Sequence, residues 1–165
     1  MTEAGIHDVS VRMLARRALS AAEVKQRLLR KGFAAGAVAA EMTRLRHLGM
    51  LDEGELAHAV VREQLRTGHG RRAAAAALRR RRIPRDASDE ALASLDPEAE
   101  STALAAALAK ASRRRPDWRR LPDERRKVVR YLLARGFSAG SVSLAVGASG
   151  RGDLGPPETD DAGDP

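Results

Sequence analysis

Apolar residues along the chain return at helical spacing, in short runs that stop and restart with the same chemistry. Ser20 and Glu23 stand three apart, the spacing at which a serine oxygen takes a free first-turn amide and the glutamate reaches back to the cap. A helix is expected to start there. Val24, Leu28 and Leu29 mark its apolar face, Lys25, Gln26 and Arg30 its polar face, and Gly32-Phe33 supplies a left-handed stop with an apolar cover. From about 35 to 48, Val38, Met42, Leu45 and Leu48 repeat the spacing before Gly49-Met50 repeats the stop. Asp52 and Glu55 then predict a third helix through Leu56, Val60 and Leu65.

The pattern recurs. A shift of 50 residues places Leu28 on Leu78 and Phe33 on Ile83. A shift of 104 places Val24, Leu28, Leu29, Gly32, Phe33 and Val38 on Val128, Leu132, Leu133, Gly136, Phe137 and Val142. Such a period marks a tandem helical repeat. The expected division is a leading segment and helix (1–19, the helix near 9–19), a three-helix repeat at 20–66 and a second at 67–112. The second repeat has helices near 70–82, 87–95 and 97–112, with Asp96 as cap and Pro97 in the first turn. A basic linker with a shortened third repeat follows at 113–146, with helices near 123–135 and 138–146. A disordered acidic tail is expected from 147 to 165.

Composition supports an all-α reading. Of the 165 residues, 32 are alanine and only 2 are isoleucine, and aromatics make up 2%, which favours helix over sheet and implies thin cores shared among many helices. There is no cysteine, so disulfides, thiolate catalysis and cysteine-ligated zinc are excluded. No run is long and apolar enough for a membrane span, and residues 1–10 have neither the basic start nor the apolar stretch of an export signal. The expectation is a cytoplasmic protein away from membranes, and a monomer.

The chain carries a formal charge of +8, and 26 of its 30 basic residues are arginine. Residues 149–165 contribute −4, so the rest of the chain is more basic still and is expected to attract a polyanion, either nucleic acid or an acidic protein surface. The acidic tail is expected to screen that body. His7, His47, His58 and His69 fall in separate elements without the spacing of a metal site, and no glycine-rich phosphate loop is present. Serines such as Ser20 and Ser138 stand where helices need caps, so no catalytic residues, metal or cofactor are expected.

The candidate residues are therefore those for binding. Arg79, Arg80, Arg81 and Arg82 close one predicted helix, where cations suit the dipole, but Arg71 and Arg72 sit in its first turn, where they do not. Helix stability leaves Arg71 and Arg72 unexplained, which makes this helix a binding candidate. The linker adds Arg113, Arg114, Arg115, Arg119 and Arg120 around Trp118, either a linker anchor or an exposed contact, and the next helix adds Arg126 and Arg130. Phe33 and Phe137 are read as core beneath helix stops, and Tyr131 as a half-buried structural residue.

Three stretches carry a resemblance: Ser20, Glu23, Leu28 and Lys31-Gly32-Phe33; Leu48-Gly49-Met50-Leu51-Asp52-Glu53 with Leu56-Ala57; and Arg130-Tyr131-Leu132-Leu133-Ala134-Arg135-Gly136-Phe137-Ser138. Together they resemble the RecX family of bacterial regulators of the RecA recombinase, over about residues 11–146. The resemblance implies tandem three-helix units forming an elongated, curved array that lies in the groove of the RecA filament on DNA. It further implies a non-enzymatic inhibitor of RecA's ATPase, strand exchange and coprotease function in recombination, repair and the SOS response. Ala73–Ala77 depart from the family's more varied second-unit start, and Leu56 stands where the family has an aromatic. The alternative is a basic helical array that binds single- or double-stranded DNA without RecA.

Overall fold

The computed structural model describes residues 3–151, with side chains from 5 to 147. Within them the chain forms α1 (Glu3–Arg16), α2 (Ala21–Arg30), α3 (Ala35–His47), α4 (Glu53–Arg66), α5 (Arg71–Arg80), α6 (Arg85–Ala93), α7 (Pro97–Arg114), a 3₁₀ turn (Pro116–Arg119), α8 (Pro122–Ala134) and α9 (Ala139–Arg151), and no strand. The fold is an all-α tandem helical repeat.

Local chemistry sets most of the boundaries. Ser20 Oγ accepts the Glu23 amide at 3.1 Å while the Ser20 amide donates to Glu23 Oε2 at 2.9 Å, the expected reciprocal cap of α2. Asp52 Oδ1 accepts the Glu55 amide at 2.9 Å to start α4, and Asp96 Oδ1 accepts the Glu98 amide at 3.0 Å with Pro97 in the first turn of α7. At the other ends, Gly32, Gly49, Gly68 and Gly136 take φ of 86°, 65°, 75° and 86°. In each case the following amide folds back five residues, as from Phe33 to the Leu28 carbonyl (3.3 Å) and from Met50 to Leu45 (2.9 Å). α5 ends on the same turn, but Arg82 occupies it at φ 54°.

The cores assign the helices to units. Ile6, Leu19, Val24, Leu28, Phe33, Val38, Met42 and Leu45 form one core from α1–α3 and the loops between them. Leu56, Ala57, Val60, Val61, Ala74, Ala77, Leu78, Ile83, Ala91 and Leu95 form a second, built on α4–α6. Ala103 to Ala111 on α7, Trp118, Val128, Leu132, Phe137, Val142 and Val146 form a third. The packing phase is thus one helix earlier than the division at 20, 67 and 113. α1 is an integral member of the first unit, and α4 packs on α5 and α6 rather than closing the unit before it. α7 likewise opens the third unit, which is consequently not shortened.

Three smaller differences follow from the same cores. α1 begins near residue 3 because Ile6, only 3% exposed, belongs to the core, and buried Ser10 satisfies its hydroxyl on the Ile6 carbonyl at 2.8 Å. Leu29 and Leu48, expected on apolar faces, are exposed, as is Leu133. The segment 113–122 is not a linker: α7 runs through Arg114 and the 3₁₀ turn inserts Trp118 into the third core. α9 continues to Arg151, and the rest of the expected tail lies outside the described residues.

Candidate functional site

α5 packs on both α4 and α6, which also pack on each other, and buries Ala74, Ala77 and Leu78. Its alanine run is a packing feature. A Cβ added at Gly136 would stand 2.3 Å from the Ala73 nitrogen and 2.7 Å from the Ala73 Cβ, so the turn after α8 sits directly on the first turn of α5. Across that contact the Gly70 amide donates to the Arg135 carbonyl at 2.9 Å and the Arg72 amide to the Gly136 carbonyl at 3.1 Å. The Arg71 amide donates to Glu100 Oε1 of α7 at 2.8 Å, and the Arg71 guanidinium donates to the Leu92 carbonyl near the end of α6 at 2.7 Å. A carboxylate and two carbonyls from the third unit therefore offset the positive first turn. Arg71 is a structural strut, whereas Arg72 points its charge outward and has no recorded side-chain partner among the described residues.

The far end of α5 divides in the same way. Arg79, Arg80 and Arg82 are exposed, with no hydrogen-bond or ion-pair partner among the described residues. Arg81 is committed to the first unit: its Nη2 donates to the Ala18 carbonyl at 2.7 Å and to Glu23 Oε2 at 2.8 Å, while its own carbonyl accepts Ser20 Oγ at 2.6 Å. Glu53 completes this junction by accepting the Ala21 amide on Oε1 at 2.6 Å. Burial works to raise the Glu23 pKa, but the Arg81 hydrogen bond, the Ser20 amide and the charges of Arg81 and Arg17 hold it below the ordinary value. Glu53 goes the other way: burial pushes its pKa up against the pull of the Ala21 amide, Arg46 and Arg81.

The second junction reuses this device. Arg135 donates to the Thr67 and Gly68 carbonyls at 3.0 and 3.1 Å, as Arg81 does to Ala18, and stacks its guanidinium 4.9 Å from the Tyr131 ring centroid. With Arg135 nearby, burial lowers the His69 pKa, followed by repulsion from that guanidinium. Arg135 lies outside the sequence-predicted candidates, although a basic residue before three of the five stops, in Lys31-Gly32, Arg81-Arg82 and Arg135-Gly136, is a visible signal.

In the third unit, Trp118 is 1% exposed and is therefore a core anchor, not a surface contact. The Arg119 guanidinium lies over its ring at 4.8 Å. Arg115 pairs with Glu124 at 2.7 Å, and Glu124 also accepts from Lys127 at 2.6 Å. Those two hydrogen bonds, Lys127 first, lower the Glu124 pKa. Arg126 pairs with Asp123 on the surface of α8. Arg113, Arg114, Arg120 and Arg130 are exposed and have no side-chain partner among the described residues, as does Arg125, which the sequence reading left out.

The candidates thus separate into residues the fold consumes (Arg71, Arg81, Arg115, Trp118) and exposed cations it does not, chiefly Arg72, Arg79 and Arg80 on α5, Arg82 in the turn after it, and Arg113, Arg114, Arg120 and Arg130 in the third unit. Exposed guanidinium groups are chemically suited to anions, by charge and by bidentate geometry. Among the described residues no group of three or more His, Cys, Asp or Glu side chains could hold a metal ion, and no helix is long and apolar enough to cross a membrane.

Comparison with known proteins gives a consistent picture. Residues 8–45 match the family described as RecX, first three-helix domain, and residues 52–92 match RecX, second three-helix domain, in the phase of the first two cores. The regulatory protein RecX of Halorhodospira halophila is 35% identical over 161 residues, covering 93% of this chain and 96% of that protein. The regulatory protein RecX of Mycolicibacterium vanbaalenii is 33% identical over 134 residues, 78% of this chain and 73% of that protein. Among solved structures, a RecX from Lactobacillus salivarius superposes with a TM-score of 0.78 at 16% identity, over 88% of this chain and 95% of that one. A second RecX crystal structure gives 0.76 at 20% identity, over 87% and 70%.

Proposed function

This chain belongs to the RecX family of regulatory proteins, and from that premise we propose that it binds RecA and the RecA filament on DNA. Binding restrains RecA's ATP hydrolysis, its strand exchange and the repressor self-cleavage it promotes, and so tunes recombination, repair and the SOS response. The protein acts in the cytoplasm, as a monomer, by binding rather than by catalysis.

The observation that carries this reading is the set of unpaired arginines on α5 and the turn that ends it. Arg72, Arg79, Arg80 and Arg82 remain exposed after the fold has taken Arg71 and Arg81 for its own junctions. Retaining three unpaired cations on this ten-residue helix and a fourth in the turn that follows it raises self-repulsion, so the charge is accounted for by an anionic partner. A linear repeat offers such a partner an extended surface, and the third unit carries further exposed arginines. On a filament that surface meets acidic protein and DNA phosphate together, so affinity should fall steeply with salt.

The test is RecA's ATP hydrolysis on single-stranded DNA with this protein titrated in, and DNA binding followed alongside. Suppression well below one molecule per RecA protomer supports filament regulation. Tight, salt-sensitive DNA binding with RecA's activity untouched would move the assignment to a DNA-binding array independent of RecA.

A further inference from the structure

Two depressions in the surface occupy equivalent places in the repeat. Ala21, Ala22, Lys25 and Leu29 line the α2 side of a groove of about 410 Å³ shared with α3. The 104-residue shift carries these positions to Arg125, Arg126, Val129 and Leu133, and all four line a shallow depression of about 690 Å³ along α8. Each keeps an exposed leucine: Leu29 is 42% exposed and Leu133 39%, beside Leu28 and Leu132, which are fully buried in the cores. A lone exposed leucine is ordinary, but here it recurs in two repeats, each time set in a depression. The repeat does not require it, because the 50-residue shift puts Arg79 at the same place on α5, with Arg71, Arg72 and Ala75 at the other three.

The polar surroundings of the two leucines have one sign. Lys25 and Arg46 line the first depression and Arg125, Arg126 and Arg130 the second, and neither is lined by an Asp or Glu. Of these five cations only Arg126 has an ion-pair partner among the described residues. Two copies meeting through these surfaces would repel. Nor does either depression offer an aromatic ring on which a nucleic-acid base could stack. What complements an aliphatic side chain ringed by cations is a protein segment with a row of bulky apolar side chains flanked by carboxylates, the pattern of an acidic amphipathic helix.

We propose that the groove between α2 and α3 and the equivalent face of α8 each bind an acidic amphipathic helix of another protein. An apolar anchor of that helix packs on Leu29 or Leu133, and its carboxylates meet Lys25 and Arg46 in the first unit or Arg125, Arg126 and Arg130 in the third. The repeat thereby separates two kinds of contact: apolar burial with charge on α2 and α8, and charge without the leucine on α5. The docking does not depend on RecA, so it stands or falls separately from the function proposed above.

The probe is a fluorescent synthetic peptide of about sixteen residues, with leucine at every third or fourth position and glutamate on either side, titrated into the full chain. A twin with serine in place of leucine keeps the charge. The leucine peptide should bind about tenfold more tightly than its twin. That preference should persist at about 0.5 M salt, where exposed charges are screened beyond a few ångströms. Amide spectra should shift at residues 21–29 and 122–133 and not at 71–80. Leu29→Gln should clear the first set and Leu133→Gln the second, and the two together should erase the preference with helicity unchanged, since both side chains are exposed. An excess of single-stranded oligothymidylate should leave the preference in place. Equal affinity for the two peptides, shifts centred on α5 or on only one of the two faces, a preference that survives the double substitution, or its loss to the oligonucleotide overturns the proposal.

Discussion

Gly136→Ala tests whether the units are held as a stack by their turns. Gly136 has φ 86°, and its missing side chain leaves room for the backbone of Ala73, 2.3 Å from where a Cβ would stand. The obstacle is backbone, which cannot swing aside as a flexible side chain would. An L-residue at positive φ costs about 1–2 kcal/mol, and forcing atoms into a packed contact about 1–3 kcal/mol more. Separation of the surfaces also endangers the Gly70-to-Arg135 and Arg72-to-Gly136 hydrogen bonds, each worth about 1 kcal/mol net. The expected loss is about 3–5 kcal/mol. Gly49→Ala is the control: it too has positive φ, 65°, but nothing lies within 4 Å of the added Cβ, so only the strain of about 1–2 kcal/mol applies.

The assay is urea unfolding followed by far-ultraviolet circular dichroism for the whole array and by tryptophan fluorescence for the third unit, since buried Trp118 is the one tryptophan in the chain. Gly136→Ala should lower the fluorescence midpoint more than Gly49→Ala does, and should move it below the circular dichroism midpoint as the third unit uncouples. Equal midpoints for the two variants would refute the reasoning, because the contact at Ala73 would then yield without cost.

Five further outcomes are expected. Arg82→Gly should stabilise by about 0.5 kcal/mol by relieving a non-glycine residue at φ 54°; a lower melting temperature would show that the Arg82 side chain supports the fold. Arg81→Ala should cost about 1–3 kcal/mol, since it removes the bonds to Ala18 and Glu23 at a junction where both charged partners are about one-fifth exposed, whereas combined Arg72→Gln, Arg79→Gln, Arg80→Gln and Arg82→Gln should leave helicity intact while weakening filament binding and flattening its salt dependence. Glu23 has a lowered pKa in the folded state, so its stabilisation is present above the ordinary glutamate pKa and is lost as pH falls through the depressed value; Arg81→Ala should shrink that acid-side loss in unfolding measured against pH. Glu53 has a raised pKa, so the folded state takes its proton first and stability is lost as pH rises through the raised value; Glu53→Gln should remove this slope just above the ordinary carboxylate range, and an unaltered pH profile would contradict the buried carboxylate at the α2 cap.

What was legible in the sequence is what local chemistry controls. Ser20 with Glu23, Asp52, Asp96 with Pro97, and the glycines at 32, 49 and 136 each act within five residues of themselves, so helix starts and stops could be placed before any packing was known. Repetition of that punctuation made the all-α tandem array readable as well. The phase of the array was not readable, because a repeat has no preferred origin: α4 joins α5 and α6 only because Leu56, Val60 and Val61 find Ala74, Leu78 and Ala91 across the chain. The fates of the arginines were hidden for the same reason. Arg79, Arg80, Arg81 and Arg82 are one run in sequence, yet Arg81 alone reaches Ala18 and Glu23, some sixty residues away. Trp118, set among arginines, turned inward because the turn after α7 places it over the third core. Periodicity constrains a side chain relative to its own helix; whether a charge or an aromatic ring meets solvent or a partner is decided by distant segments that only the folded chain brings together.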